Sequence, residues 1–268
     1  MKVLIIYGSQ PGWKISVETL LPHLQVLIPY MKIITDIATL QNYLKTEGMY
    51  FTNYILPLTE VHIEELHKHN IKAMMASAEI IKTFSDKILF AEYVEKYNLQ
   101  TFAPKIYKSP EYSDNIVIVK PRWGGDSYGI YLAKMKDLLY PVYQNCVVQE
   151  YIDSNIEFAG YFVAQSGTII RPSFAYTRIY PPGPYIKGQN DNTIQTKIPI
   201  DSFYIDTIEQ FIRPSGYTGT FCVDFKLHKQ DGRLIVLEIN PRLGGSLTFP
   251  NNIQDFADII LKLTELHF

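Results

Sequence analysis

Residues 234–246 read LIVLEINPRLGGS, and the rest of the chain is organised around them. An apolar run leads into a carboxylate and an amide two residues apart, and Arg242 and a glycine pair follow. As a strand, a period of two puts Val236, Glu238 and Asn240 on one face and Leu237 and Ile239 on the other. Acids are uncommon on strands apolar enough to be buried, unless they are paired or hold a metal. Glu238 and Asn240 offer oxygen donors, the ligand type that Mg²⁺ prefers.

The preceding stretch supplies a third donor. Residues 220–227 alternate, with Phe221, Val223, Phe225 and Leu227 on one face and Cys222, Asp224 and Lys226 on the other. Residues 228–233 then read as a hairpin turn, with Gly232 available for a left-handed conformation. If residue 229 lies opposite Arg233, Asp224 falls directly across from Glu238. A slip of one residue would turn Asp224 to the wrong face. In that register Asp224, Glu238 and Asn240 converge beside Arg242 and describe a Mg²⁺–phosphate site. A Glu-x-Asn pair is equally the pattern of a solvated strand face, and the hairpin alone does not decide between them.

The chain has 268 residues, enough for one large or two to three small domains. Apolar residues make up 47% and charged residues 19%, the balance of an ordinary globular protein. A net charge of −2 supplies no field for nucleic acid or anionic membrane. Cys146 and Cys222 sit in apolar runs without metal or redox spacing, and read as buried thiols in a reducing compartment. The opening MKVLIIYGSQ has too short an apolar run for a signal-peptide core, and no stretch approaches a membrane span. The expectation is a cytoplasmic protein.

Residues 1–76 alternate strands and helices, which predicts a small parallel α/β domain. Strands are expected at 3–7, 26–29, 53–57 and 72–75. Ser16 is expected to cap a helix running to about Leu24, and Thr59 one over 60–69. The loop GSQPG lacks the dinucleotide fingerprint and reads as a turn. Residues 77–98 read as two helices broken at Ser85-Asp86, with Leu89, Phe90, Tyr93, Val94 and Tyr97 on one face of the second. Pro104 marks a linker, and residues 77–150 form a second unit. There, a strand over 116–120 ends in Lys120, a loop WGGDSYG (123–129) follows, and residues 130–132 return as a strand. Glycine lets backbone N–H groups approach a phosphate closely, although most such loops are only turns. Residues 147–152, VVQEYI, are another buried strand. Residues 151–268 form a third unit, β-rich from Phe158, with strands at 159–164, 168–171 and 173–178. A Pro- and Gly-rich loop over 181–192 reads as a lid, and helices are expected at 202–214 and 253–266.

With the glycine loop, the QEYI strand and the D…E-x-N-P-R hairpin in this order, the chain resembles the ATP-grasp superfamily over nearly its whole length. The likeness is to its carboxylate–amine/thiol ligase branch, with domains similar to those of carbamoyl-phosphate synthetase. The resemblance implies an α/β fold of ATP-grasp lobes (77–150 and 151–268) behind the N-terminal domain. It implies that Lys87 and Lys120 reach the nucleotide phosphates and that Gly124, Gly125, Asp126 and Ser127 form the loop covering them. Gln149, Glu150, Tyr151 and Ile152 match the adenine strand, Glu150 by its carbonyl and Ile152 by its N–H. Glu157 matches the carboxylate on the ribose, and Asp224, Glu238 and Asn240 the metal ligands. Arg242 matches an arginine that steadies the transferred phosphoryl group or acyl phosphate.

The implied cofactors are ATP and Mg²⁺, as a pair of ions bridged by Glu238, with Mn²⁺ as a substitute. The implied reaction activates a carboxylate as an acyl phosphate for attack by an amine or thiol, giving ADP and phosphate. Partners are small acids and amines, amino acids or a peptide among them, and a homodimer is the family expectation. Arg178, just before the lid, is a candidate catalytic residue beside Arg242. Arg171 and Lys187 are candidates for an anionic substrate, Lys187 reading equally as a surface cation. An ATP-grasp kinase and a non-catalytic nucleotide-binding module are the alternatives. A nicotinamide oxidoreductase is disfavoured by the missing fingerprint. The N-terminal region carries no recognisable substrate signature, so the acid is not named by the sequence.

Overall fold

The first strand is apolar after Lys2 because both of its faces are covered. The structure, a computed structural model, describes residues 2–9, 17–125, 127–188 and 195–266, apart from the side chains of Arg171 and Pro172. The expectations for Ser16, Asp126, the Arg171 side chain and residues 189–192 lie outside the described residues. Strand β1 (Lys2–Tyr7) sends Leu4 and Ile6 toward α1 (Val17–Leu27), and Val3, Ile5 and Tyr7 to the other face. There they meet α2 (Ile37–Lys45) and α3 (Glu60–Lys68), whose N-cap is Thr59. With β2 (Met31–Ile34) and β3 (Thr52–Pro57) it forms a parallel sheet of order β2-β1-β3. Burial on both faces is what a parallel sheet requires.

Two expected strands are corrected here. Residues 26–29 are not a strand: α1 runs on to Leu27, because Val17, Leu20 and Leu24 keep helical spacing into the core, while Val26 points outward at 79% exposure. The second strand is Met31–Ile34 instead. Residues 72–75 form no strand, although the Met74 N–H donates to the Ile55 carbonyl at 2.7 Å. Helix α2, capped by Asp36, was not expected from the sequence.

Helices α4 (Ala78–Ser85) and α5 (Lys87–Lys96) break where Ser85-Asp86 predicts. Strands β4 (Ile106–Tyr107), β5 (Ile116–Pro121), β6 (Tyr131–Lys134) and β7 (Cys146–Glu150) make an antiparallel sheet of order β4-β7-β5-β6. Helix α6 (Tyr140–Asn145) leads into β7. Val117, Val119 and Val148 pack with Met135 and Leu138 on one face. The alternate residues Ile118, Lys120, Val147 and Gln149 line cavities on the other.

A five-stranded antiparallel sheet of order β10-β9-β8-β11-β12 completes the fold. It comprises β8 (Ile156–Gln165), β9 (Thr168–Ile179), β10 (Gln195–Pro199), β11 (Gly219–Leu227) and β12 (Leu234–Asn240). The two expected pieces 168–171 and 173–178 are one strand, with a register shift against β8 between Tyr161 and Val163. Helix α7 (Ser202–Ile212) packs on one face with α4 and α5, against Phe162, Phe221, Val223 and Phe225. On the other face, Tyr161, Phe174 and Cys222 meet α8 (Ile253–Leu263) and the N-terminal sheet. Beyond them the same face continues as Glu157, Asp224 and Lys226, and there it opens onto the cleft below β5 and β7. Among the described residues, no helix is long and apolar enough to cross a membrane.

Candidate active site

Asp224 does pair with Glu238, but by a different route from the one the sequence suggests. The hairpin closes with the His228 N–H on the Arg233 carbonyl at 2.8 Å, so residue 228, not 229, stands opposite Arg233. Gly232 turns the chain at φ +70°. That register would leave Asp224 one place short. A bulge corrects it: Phe225 pairs with Val236 and Asp224 with Glu238, so Leu237 is the extra residue. Val236 and Ile239 therefore share the core face, and the expected grouping of Val236 with Glu238 is overturned. Leu237 and Glu238 both line the cleft, as two residues opposite one at a bulge can.

Asp224 is 9% exposed, and the Asn240 amide donates to Glu238 Oε1 at 3.3 Å. Burial pushes the Asp224 carboxyl up; Lys187 opposes this, and the charges of Glu238 and Glu157 reinforce it. Burial would raise Glu238 as well, but Lys120, then Lys87 and Lys187, hold it well below the usual range. Among the described residues no group of three His, Cys, Asp or Glu is placed to hold a metal. The site offers two carboxylates and an amide instead. A cation already rests on one of them, since Lys187 Nζ lies 2.6 Å from Asp224 and 3.3 Å from Glu157. The all-oxygen set and this internal cation fit a divalent ion.

Lys120 and Lys87, the two lysines expected at the phosphates, both border the cleft. Lys120 is 7% exposed at the end of β5, its pKa lowered by burial against the pull of Glu238. Lys87 opens α5 and donates to the Gly124 carbonyl at 2.8 Å. Gly124 and Gly125 border two adjoining cavities, with open space where a Cβ would stand. Lys87 is anchored by a residue that the sequence presents only as a cap. Asp86, fully buried, accepts from the N–H groups of Ile88 and Leu89 and takes the Arg122 fork at 2.6 to 3.0 Å. Burial acts to raise its pKa, and these donors bring it below the usual carboxylate value. Asp86→Ala is expected to lower the unfolding free energy by about 3 kcal/mol, and Asp86→Asn, which keeps the cap, by about half. Urea denaturation checks this, and equal losses would show the cap to be irrelevant.

The strand that the resemblance assigns to adenine is shorter than expected. It ends at Glu150, whose N–H donates to the Lys105 carbonyl at 2.8 Å and whose carboxylate accepts from the Lys105 N–H. Tyr151 and Ile152 lie beyond it in the connection to β8. Gln149 is 7% exposed, and its Oε1 is buried without a hydrogen-bond partner. Glu157 is buried on β8.

The described part of the expected lid, up to Gly188, lies on this site. Ser127 Oγ donates to the Lys187 carbonyl at 2.5 Å, and the Tyr185 N–H donates to the Tyr151 hydroxyl at 3.1 Å. Lys187 is thus no surface cation. Two further residues of the site were missed by the sequence reading. Lys226 is buried on the cleft face, donates to the Ile152 carbonyl at 3.1 Å, and faces the rings of Tyr151 and Tyr185 at 4.8 and 4.2 Å. Burial lowers its pKa to about 8. Tyr185, stacked on Tyr180 at 3.8 Å, is the other. Lysine alternating with apolar neighbours on β11 was the available signal for the first; nothing local marks the second.

Arg178 and Arg242 meet at an adjoining cavity of about 330 Å³. Arg178 Nη2 lies 3.4 Å from Ser246 Oγ, and Arg242 pairs with Glu60 at 3.2 Å and donates to the Leu243 carbonyl. Gly244 is required there, since a Cβ would meet the Tyr161 ring at 2.8 Å. Asn240, Glu238, Lys187 and Lys87 also border this cavity, so it is continuous with the carboxylate and lysine cluster.

The ATP-grasp domain profile matches residues 84–246. Comparison with the curated proteins returned no match. Among solved structures, the N5-carboxyaminoimidazole synthase of Aspergillus clavatus, in complex with ADP and 5-aminoimidazole ribonucleotide, is similar at a TM-score of 0.65 and 12% identity. That match covers 100% of this chain and 78% of the synthase. D-alanyl-alanine synthetase A of Vibrio cholerae is similar at 0.63 and 14% identity, over 98% of this chain and 97% of its own. An L-amino acid ligase of Bacillus licheniformis is similar at 0.60 and 13% identity, over 92% and 68%. Identities this low show the fold.

Proposed function

We propose that this chain, which belongs to the ATP-grasp family, is an ATP-dependent ligase that joins a small carboxylic acid to an amine. One observation carries the reading: the cavity between Arg178 and Arg242 is bordered by the same Glu238, Asn240 and Lys87 that border the larger cleft beneath Lys120. An acid held by the arginines therefore lies beside phosphates held by the lysines. In this reading adenosine rests on the Glu150–Ile152 connection with its ribose at Glu157. Asp224, Glu238 and Asn240 would hold Mg²⁺, which when bound neutralises phosphate charge.

An acid oxygen attacks the γ-phosphorus, the bond to the ADP oxygen breaks, and an acyl phosphate forms. The amine nitrogen then attacks the acyl carbon, phosphate leaves, and the nitrogen gives up a proton. Lys87, Lys120 and Arg242 supply preorganised positive charge throughout, worth most where water is excluded. The neighbours named above include ligases of amino acids, which makes amino acids the first substrates to try.

The test is to supply ATP, Mg²⁺ and pairs of L- and D-amino acids, following free phosphate and product mass. One phosphate per amide formed is expected, and only when both partners are present. A phosphorylated product without free phosphate would make the chain a kinase, and absence of nucleotide binding would leave only the fold.

A further inference from the structure

A walled cavity beside the site, about 570 Å³, is distinct from the place proposed for the nucleotide. It shares Lys120, Gln149, Leu237 and Glu238 with the small cavity at the Glu150–Ile152 connection, but Glu150, Tyr151 and Ile152 do not border it. It lies behind Gln149, between the β12 edge and helices α4 and α5. Its walls there are Ile81, Phe84, Phe90, Val94, Ile106 and Val147. A nucleotide reaching from the connection to Lys87 needs none of them. The volume falls in the range of small-molecule sites, about 300–1,000 Å³.

Two polar residues, Gln149 and Ser85, interrupt these apolar walls, each with an oxygen buried behind the wall. Gln149 Oε1 and Ser85 Oγ are both buried without a hydrogen-bond partner, and both residues border the cavity. A buried acceptor without a donor is unfavourable, and a ligand N–H that meets Gln149 Oε1 as the side chain turns toward the cavity relieves it. At the rim, Glu60 and Glu64 face Lys82, Lys87 and Arg242, so neither sign of charge is favoured. We propose that this cavity is a separate binding site for an uncharged aromatic small molecule carrying an N–H or O–H donor, the donor directed at Gln149 Oε1. Its occupant rests on the helix that begins with Lys87 and against Lys120, and so touches both phosphate lysines from behind.

Indole, which has such a ring and a single N–H, is the probe. Ligand-observed NMR and calorimetry on the full chain are expected to show saturable binding, unchanged by a non-hydrolysable ATP analogue. Ala91→Phe, which fills the cavity from α5, is expected to abolish it. Gln149→Leu is expected to weaken it about tenfold, the effect of about 1.4 kcal/mol, with melting temperatures showing both variants folded. Displacement of indole by the analogue would assign the cavity to the nucleotide, and unaltered binding in both variants would place indole elsewhere. Either result, or no binding by the wild type, overturns the proposal, and the wild-type measurements decide even if a variant fails to fold. Indole binding without any nucleotide binding would sink the ligase reading and leave this one standing.

Discussion

Glu238→Gln is expected to abolish Mg²⁺-dependent nucleotide binding and to lower turnover by on the order of 10³-fold. The substitution keeps shape and one oxygen, so the loss is one of charge. Glu238 stands opposite Asp224, next to the Asn240 amide, and in the field of Lys120, Lys87 and Lys187. Without the carboxylate, those cations face each other with less to offset them, and Lys120 is buried. Stability should therefore shift with pH in a defined direction. Lowering of the folded-state pKa means that ionised Glu238 stabilises the fold above the ordinary glutamate value of about 4.3, and that this contribution fades as pH falls below it. The glutamine variant lacks that acid-side loss. Calorimetric titration of an ATP analogue with and without Mg²⁺ measures the first effect, and melting temperature between pH 3 and 7, as a working range, the second. Metal-dependent binding that survives in the variant would remove Glu238 from the site.

Much of this arrangement was legible because it rests on local chemistry. Period-two alternation in 220–227 and the E-x-N-P-R run brought two acids and an amide together, and the Ser85-Asp86 interruption located Lys87 at a helix start. The register shows the limit of such reading. The turn was misjudged by one residue and the Leu237 bulge was unseen, yet the two offsets cancel and Asp224 still faces Glu238. A bulge depends on how β11 and β12 twist together, which spacing within either strand does not record. The apolar run at 26–29 misled for a related reason: helical spacing from Val17 to Leu24 outweighed it once the core was present. Lys187 and Tyr185 lie on a segment whose composition says only that it is a loop. Their place on Asp224, Glu157 and Lys226 is set by contacts at long range in sequence.

That tertiary placement makes Lys187→Met the more informative substitution. Its ammonium bridges Asp224 and Glu157, two buried acids whose charges also raise each other's energy. Removing one partner of a fully buried pair typically weakens a fold by 3–5 kcal/mol. Lys187 keeps 26% of its side chain exposed, so about 2 kcal/mol is the better expectation here. In a chain of this size that lowers the melting temperature by roughly 4–8 °C. A divalent cation should restore the loss, because it supplies the charge the lysine gave. It should also bind the variant at least about tenfold more tightly than the wild type, where it must first displace an ammonium 2.6 Å from Asp224. EDTA then separates the two proteins: it leaves wild-type melting unchanged, since Lys187 remains in place, and lowers that of the variant. Turnover should fall in the variant even with metal bound, because it lacks the lysine that metal would release in the wild type as a cation beside the phosphates. Equal Mn²⁺ affinities for the two proteins would show that Lys187 and the metal occupy different places, and the contact with Asp224 would then be structural alone.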